Sequence, residues 1–386
     1  MEKVKVGIIG VGGMGGGHAR SILEGEVPGM ELAAVADIDP KKSAWMDEKY
    51  AHIPRFLDAE AMMDSGLVEA IVVATPHYFH PVYVKMALEK GIHALSEKPA
   101  GVYTKAVREV NELAESKPDL VYAIMFNQRT NCVYRKLKEI VDSGELGRIR
   151  RSSWHVTNWY RPQSYYDSGA WRATWAGEGG GVLLNQCPHN LDLWQWICGM
   201  PVKIRAFAHN GKWHDIEVED DVTVYVEYEN GATGSFITTT GDAPGANRLE
   251  IVMDGGTLIT DGSTLTLIKL EMPEPEFSRT YKGGFGEPNK EVIEVETDGF
   301  NPQHVEVLRR YAAAIRGTET LVAPGVEGIL GLTLSNAMHL SSWLDKTIEL
   351  PLDEDLFLAE LNKRRAISRH KDSADVVLDT KGTYNA

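Results

Sequence analysis

Cysteine is scarce in this chain: Cys132, Cys187 and Cys198 are the only three in 386 residues. They are too few and too scattered for a disulfide framework, and no pair has zinc-ligand spacing, so they read as reduced thiols and no metal is expected. Long apolar runs are missing as well; none reaches the roughly 18 to 20 residues of a membrane span. No charged segment, apolar stretch or cleavage site of a signal peptide precedes the strand pattern that opens at Lys3, which leads us to expect a cytoplasmic protein without a membrane partner. Positive charge is short too. Against 55 acidic side chains stand 40 basic ones, for a net charge of −15, and no Lys/Arg cluster suits a phosphate backbone, which argues against nucleic acid.

What is present is the composition of a globular protein long enough for two domains, with 43% hydrophobic and 25% charged residues. Up to residue 127, β-rich runs (4–9, 31–37, 69–74, 93–96, 120–126) alternate with helical periodicity (13–23, 41–50, 81–90, 104–115). Such alternation with nearly continuous apolar strands implies a parallel sheet covered on both faces. The expected first domain, residues 1–127, is an α/β Rossmann domain, a doubly wound parallel sheet.

Beyond Arg129 the pattern changes. One helix (133–142) is followed by eight strand-like runs between 148 and 295. Turn signals such as Glu229-Asn230-Gly231 and Asp254-Gly255-Gly256 join neighbours, so the second sheet should be mostly antiparallel. The second domain, residues 128–386, is expected to be α+β, with residues 273–290 as an excursion or lid. Helices at 303–315 and 326–344 are expected to pack back on the first domain. The last dozen residues look loosely held.

The first strand ends in Gly10-Val11-Gly12-Gly13-Met14-Gly15 and a helix follows. Glycines at this spacing permit a tight turn, close approach to a pyrophosphate and helix-on-strand packing, while the helix N-terminus offers N–H groups to the phosphates. Asp37 closes the second strand, where a carboxylate can hold an adenosine ribose, and with Asp39 it would repel a 2′-phosphate. NAD is therefore expected over NADP, with Lys41 and Lys42 keeping NADP as the alternative.

Downstream stand Ala74-Thr75-Pro76-His77, then Glu97-Lys98-Pro99, then Met125-Phe126-Asn127-Gln128-Arg129, and finally a segment from Gly179-Gly180-Gly181 through Asn185 to Cys187-Pro188-His189 and Asp192. The combination resembles the glucose-fructose oxidoreductase and inositol dehydrogenase family, Gfo/Idh/MocA, over essentially the whole chain. The resemblance implies an open sheet in the second domain, substrate held between the domains, and a homodimer or homotetramer. It also implies that Lys98 binds the reacting oxygen and that His189 is the histidine of the site. The family's usual Asp falls on Asn185, an amide that orients but carries no charge. Acid-base work is accordingly assigned to His189 helped by Lys98, and positioning to Asn185. On the cofactor side, Thr75, Pro76, His77, His80, Glu97 and Lys98 join Gly10, Gly12, Gly13, Met14, Gly15 and Asp37.

Six of the nine tryptophans fall between 154 and 196. Aromatic faces interleaved with polar groups suit a carbohydrate, whose C–H patches stack on rings. The expected substrate contacts are Asn127, Arg129, Trp159, Tyr160, Arg161, Tyr166, Trp171, Arg172 and Asp192, the last also expected to orient His189. The loop from Tyr160 to Gly181 is expected to cover the substrate. The reading is an NAD-dependent oxidoreductase acting on a secondary hydroxyl of a sugar, inositol, polyol or glycoside. Its alternatives are an NAD-dependent glycosidase using transient oxidation and a non-catalytic NAD/sugar sensor.

Overall fold

In the computed structural model, residues 2–369 and 371 are described, so the expected loose tail, the last dozen residues, lies outside the described residues. The first part runs β1 (Val4–Ile9), α1 (Gly13–Leu23), β2 (Met30–Ala36), β3 (Arg55–Phe56), α2 (Ala59–Asp64), β4 (Ala70–Val73), α3 (His80–Glu89), β5 (His93–Ser96), α4 (Thr104–Glu115) and β6 (Tyr122–Ile124). Its strands are all parallel, in the order β3-β2-β1-β4-β5-β6. Every residue of β4 is buried, as the unbroken apolar run Ala-Ile-Val-Val requires of a strand covered on both faces. The strand order reverses between β1 and β4, and there the carboxyl ends open a crevice.

Two details depart from the sequence pattern. The helix expected over 41–50 is a 3₁₀ turn, Pro40–Met46, started by Asp39, whose side chain accepts the Lys41 N–H at 3.0 Å. β3 and α2 were not foreseen: a two-residue strand shows no period, and α2 is only six residues long, started by Asp58 capping the Ala61 N–H at 2.8 Å.

The second part continues with α5 (Cys132–Ser143), β7 (Ile149–Val156), α6 (Gln163–Asp167), α7 (Pro188–Cys198), β8 (Lys203–Asn210), β9 (Glu219–Glu227), β10 (Thr233–Thr239), β11 (Asn247–Met253), β12 (Gly256–Thr260), β13 (Leu265–Leu270), α8 (Glu274–Thr280) and β14 (Lys290–Glu294). Then come α9 (Gln303–Ile315), α10 (Gly328–Leu344), β15 (Ile348–Glu349) and α11 (Glu354–Ala366). The second sheet has the order β14-β13-β12-β11-β7-β10-β9-β8-β15. Its pairs are antiparallel except β7 with β10, which run parallel. α7 lies on this sheet, with the Trp194 ring stacked on Phe236 at 5.5 Å.

The excursion after β13 is α8 and a turn connecting the two strands at one sheet edge. It is tied to Arg150 and Asp254, so residues 273–290 form an excursion that connects two edge strands. The chain then returns to the first sheet: Val307, Leu308, Tyr311 and Ala312 of α9 share a core with Val4, Val6 and Ile8 of β1.

Candidate active site

Gly10 turns the chain out of β1 at φ +83°, and a Cβ there would lie 2.7 Å from the Ala74 carbonyl oxygen. At Gly15 a Cβ would lie 1.8 Å from the Gly10 carbonyl oxygen, so this residue lets α1 close on the turn. Gly12 and Gly13 differ: a Cβ at either meets nothing within 4 Å, leaving open space over the loop. α1 has no side-chain cap and no acidic residue in its first turn, which keeps the N-terminus suited to an anion. Asp37 accepts the N–H of Val11 and of Asp39, each at 2.9 Å, fastening its carboxylate to the loop beside which a ribose would sit. After β4, the buried Thr75 hydroxyl has no partner among the described residues. Open space over two glycines, an uncapped helix start, a fixed carboxylate and an orphaned hydroxyl together fit a dinucleotide.

Next to this crevice β5 ends in Glu97-Lys98-Pro99, with a cis Lys98-Pro99 bond. Glu97 is buried, and both its oxygens are taken: Oε1 by His18 Nε2 at 2.7 Å and Oε2 by the Lys98 N–H at 3.2 Å. Burial alone would raise this carboxyl; the bond and charge of His18, with His304 and Lys98 nearby, instead hold it at about 2. Glu97 therefore fixes the backbone of Lys98 from behind. The Lys98 ammonium crosses to the second part of the molecule and donates to the Asn185 carbonyl at 2.9 Å. Burial pushes its pKa down, while Glu97 and Glu178 pull it up. His189 starts α7, where Pro188 occupies the first turn. Burial, then the charge of Lys98, holds its pKa well below the usual histidine value, and its Nδ1 has no hydrogen-bond partner among the described residues. A neutral imidazole beside an ammonium can receive a proton while the ammonium steadies an oxyanion.

Two residues of this cluster were missed as site residues. Glu178, 2% exposed, accepts hydrogen bonds from the Asn185 side-chain amide and from the Ala173 N–H. Tyr165 receives a bond from Arg172 at 3.0 Å and donates to the Asn185 side chain at 3.4 Å. The available signal for Glu178 was a lone carboxylate opening the glycine run 179–181.

Aromatic and basic side chains gather around Tyr165. The Arg172 guanidinium lies 4.7 Å from the Tyr165 ring and 4.5 Å from Trp171, whose ring meets His77 edge-on at 5.8 Å. Arg161 lies 5.3 Å from the same tyrosine and 5.8 Å from Trp159, while Tyr160 beside it is exposed. Trp159 donates to Asn190 at 3.1 Å. His77, buried next to Pro76, has Nδ1 3.2 Å from the Glu178 carbonyl, joining the two loops.

Five of the expected contact residues have partners within the protein. Arg129 and Asp192 bind each other through two bonds, at 2.6 and 2.8 Å, and both are buried, so neither offers its charge to a substrate; Asp192 does not orient His189 either. Tyr166 is buried and donates to Thr240 at 2.6 Å, while the neighbouring Tyr165 is the tyrosine that bonds Asn185 and Arg172. His80 sets both ring nitrogens against backbone carbonyls, of Thr75 and Pro99, each at 2.7 Å, and braces those turns in place of touching a cofactor. Asn127 is buried and donates to Gln303 at the start of α9. Among the described residues no group of His, Cys, Asp and Glu could hold a metal ion.

Residues 4–125 match the model of an oxidoreductase family with an NAD-binding Rossmann fold, and residues 134–259 match the Gfo/Idh/MocA C-terminal domain. The chain belongs to the Gfo/Idh/MocA family. It is 30% identical over 197 residues to an inositol 2-dehydrogenase of Rubrobacter xylanophilus, covering 51% of this chain and 52% of that protein. To a D-glucoside 3-dehydrogenase of Escherichia coli it is 29% identical over 219 residues, 52% of this chain and 60% of that protein. The chain thus spans little more than half the length of these relatives. Its structure superposes on the WlbA dehydrogenase of Chromobacterium violaceum, solved with NADH and UDP-GlcNAcA, with a TM-score of 0.77 and 25% identity over 92% of this chain and 97% of that one. For this Gfo/Idh/MocA protein the dinucleotide crevice and NAD binding follow from the family.

Proposed function

We propose that this protein is an NAD-dependent dehydrogenase acting on a secondary hydroxyl of a sugar, inositol, polyol or glycoside. The supporting observation is the bond from Lys98 Nζ to the Asn185 carbonyl, which brings the end of β5 against the turn into α7 and His189. Gly10, Gly12, Gly13, Met14 and Gly15 would cradle the pyrophosphate, Asp37 the ribose, and Thr75, Pro76 and His77 the nicotinamide side. When bound, the nicotinamide supplies the hydride chemistry. Lys98 donates to the substrate oxygen and stabilises its developing negative charge. His189 takes the hydroxyl proton. Trp159, Tyr160, Arg161, Trp171 and Arg172 hold the ring of the sugar, with stacking on its C–H faces and bonds to its hydroxyls.

Asp37 and Asp39 favour NAD over NADP by repelling a 2′-phosphate. A homodimer or homotetramer is consistent with the exposure of Phe207 on β8 and Tyr225 on β9, and three free thiols suit the cytoplasm. No helix among the described residues is long and apolar enough to cross a membrane. Purified protein should form NADH from NAD with at least one member of a panel of inositols, aldoses, anhydrosugars and glucosides, and Lys98→Ala should lower the rate by roughly 10²-fold or more. NADH binding without turnover on any of them overturns the proposal.

A further inference from the structure

The cleft gathers cations. Lys98, Arg161 and Arg172 lie together, and no carboxylate among the described residues is within ion-pair distance of either arginine. Glu97 cannot compensate them alone, because both its oxygens are engaged. Glu178 is the other carboxylate close enough to act on Lys98. It sits in a strained segment: Ala173, fully buried, holds φ +53°, a conformation costly for a residue with a Cβ, and from there donates its N–H to Glu178 Oε2 at 2.5 Å. The other oxygen, Oε1, takes the Asn185 amide N–H, so Asn185 Oδ1 must face the opposite way, toward the Tyr165 hydroxyl at 3.4 Å. The backbone carbonyl of Asn185 receives Lys98 Nζ. One carboxylate thus fixes both ends of the Asn185 side-chain amide, on the residue whose backbone carbonyl receives the ammonium.

We infer that Glu178 is a positioning residue of the active site: acting through Asn185, it supplies the negative charge that keeps the Lys98 ammonium protonated and aimed, a charge that position 185 itself does not carry. This rests on the reading of Lys98 above as the group that binds the reacting oxygen. A purely structural role, closing the loop over residues 173–178, would leave the titration of Lys98 unchanged, and that difference is measurable.

The groups facing Lys98 are Glu97 from its own turn, His77 and His80 from the loop after β4, Arg161, Arg172 and Glu178 from the loop before α7, Cys187 and His189 from the start of α7, and His304 from α9. Cations and burial push its proton off; the two glutamates hold it on. Removing the charge of Glu178 must therefore lower the pH at which Lys98 deprotonates.

The test uses full-length protein isotopically labelled at lysine Cε, with the Lys98 resonance assigned by its loss in Lys98→Ala and followed by NMR against pH. We expect Glu178→Gln to lower the Lys98 midpoint by about one pH unit or more. The swapped pair Glu178→Gln/Asn185→Asp, in which amide and carboxylate exchange places and can still bond to each other, should move it back up. On any substrate the panel reveals, Glu178→Gln should shift the alkaline limb of kcat toward lower pH, and the swap should restore it. An unchanged Lys98 midpoint in Glu178→Gln overturns the inference. If that variant does not fold, a midpoint in the swapped pair at least one unit below the parent's overturns it as well. Because the resonance needs no turnover, a silent substrate panel and a failed inference are told apart.

Discussion

At the residue scale the site works by dividing roles between side chains that sequence alone places far apart. Lys98 should act mainly after substrate has bound, on the developing oxyanion, so Lys98→Ala is expected to lower kcat by roughly 10²–10³. NADH affinity, read by fluorescence titration, should change only a few-fold. His189 must be neutral to take a proton. Burial and Lys98 shift its pKa below 6.5, so activity is present above that range and lost as pH falls through the lowered value. A pH profile of kcat should therefore show its acidic limb below pH 6.5, and His189→Asn should remove that limb together with most of the rate. Lys98, His189 and Asn185 were placed in the candidate site because each belongs to a local motif. Glu178 and Tyr165 were not: their importance comes from loop geometry that brings 178 onto 185 and 165 onto 172. The same blindness misread Arg129 and Asp192, since nothing in one sequence tells a buried pair from two charges facing a ligand.

At the element scale, the loop between β1 and α1 separates glycines kept for the fold from glycines kept for the ligand. Gly15→Ala drives a methyl into the Gly10 carbonyl and should cost about 2 kcal/mol or more of stability. Gly13→Ala meets open space at the start of α1 and should leave the thermal midpoint unchanged or slightly raised, since alanine is favoured over glycine in a helix by about 0.5–1 kcal/mol. NADH affinity should nevertheless fall at least about ten-fold, because the methyl occupies pyrophosphate space. Comparing melting curves with NADH titrations separates the two classes, and equal losses of stability in both would refute the division. A second element-scale device is Arg129, which follows β6 and binds Asp192 of α7 and Glu327 just before α10. Arg129→Leu strands the buried Asp192 carboxylate and should cost about 3–5 kcal/mol in urea unfolding. Regular elements such as α1, α4, β13 and α9 could be read almost to the residue, because each is long enough for its period to show. The elements that escaped include β3, α2, α6, α8 and β15, which are two to seven residues long, and α11, thirteen residues long, which buries only Phe357 and Leu361 and so shows little apolar period.

At the scale of the whole molecule, the chain crosses between its two sheets more than once, and this decides how it should unfold. After the second sheet is built, α9 returns to bury Tyr311 and Leu308 in the core of the first, and Arg316 at its end binds Glu69 beside β4 at 2.7 Å. A bridge between Ala123 and Pro324 extends the contact. α10 then goes back to the second core through Leu332, Leu334 and Met338, while its Asn336 accepts the Thr104 N–H at 3.1 Å and donates to the Val102 carbonyl at 3.0 Å. Each sheet therefore lacks part of its core until the other part of the chain is in place. A domain joined only by a linker would unfold on its own, but here either half melting alone would expose apolar surface belonging to both. One cooperative transition is expected. Hydrogen exchange read at the level of peptides across a urea series provides the check, since β1 and β4 report the first sheet and β9 and β10 the second. Coincident midpoints would show that the return of α9 and α10 welds the sheets into one unit. Midpoints clearly separated in urea would show that the first sheet holds together without them, and that the cleft between Lys98 and Asn185 is the seam along which the molecule comes apart.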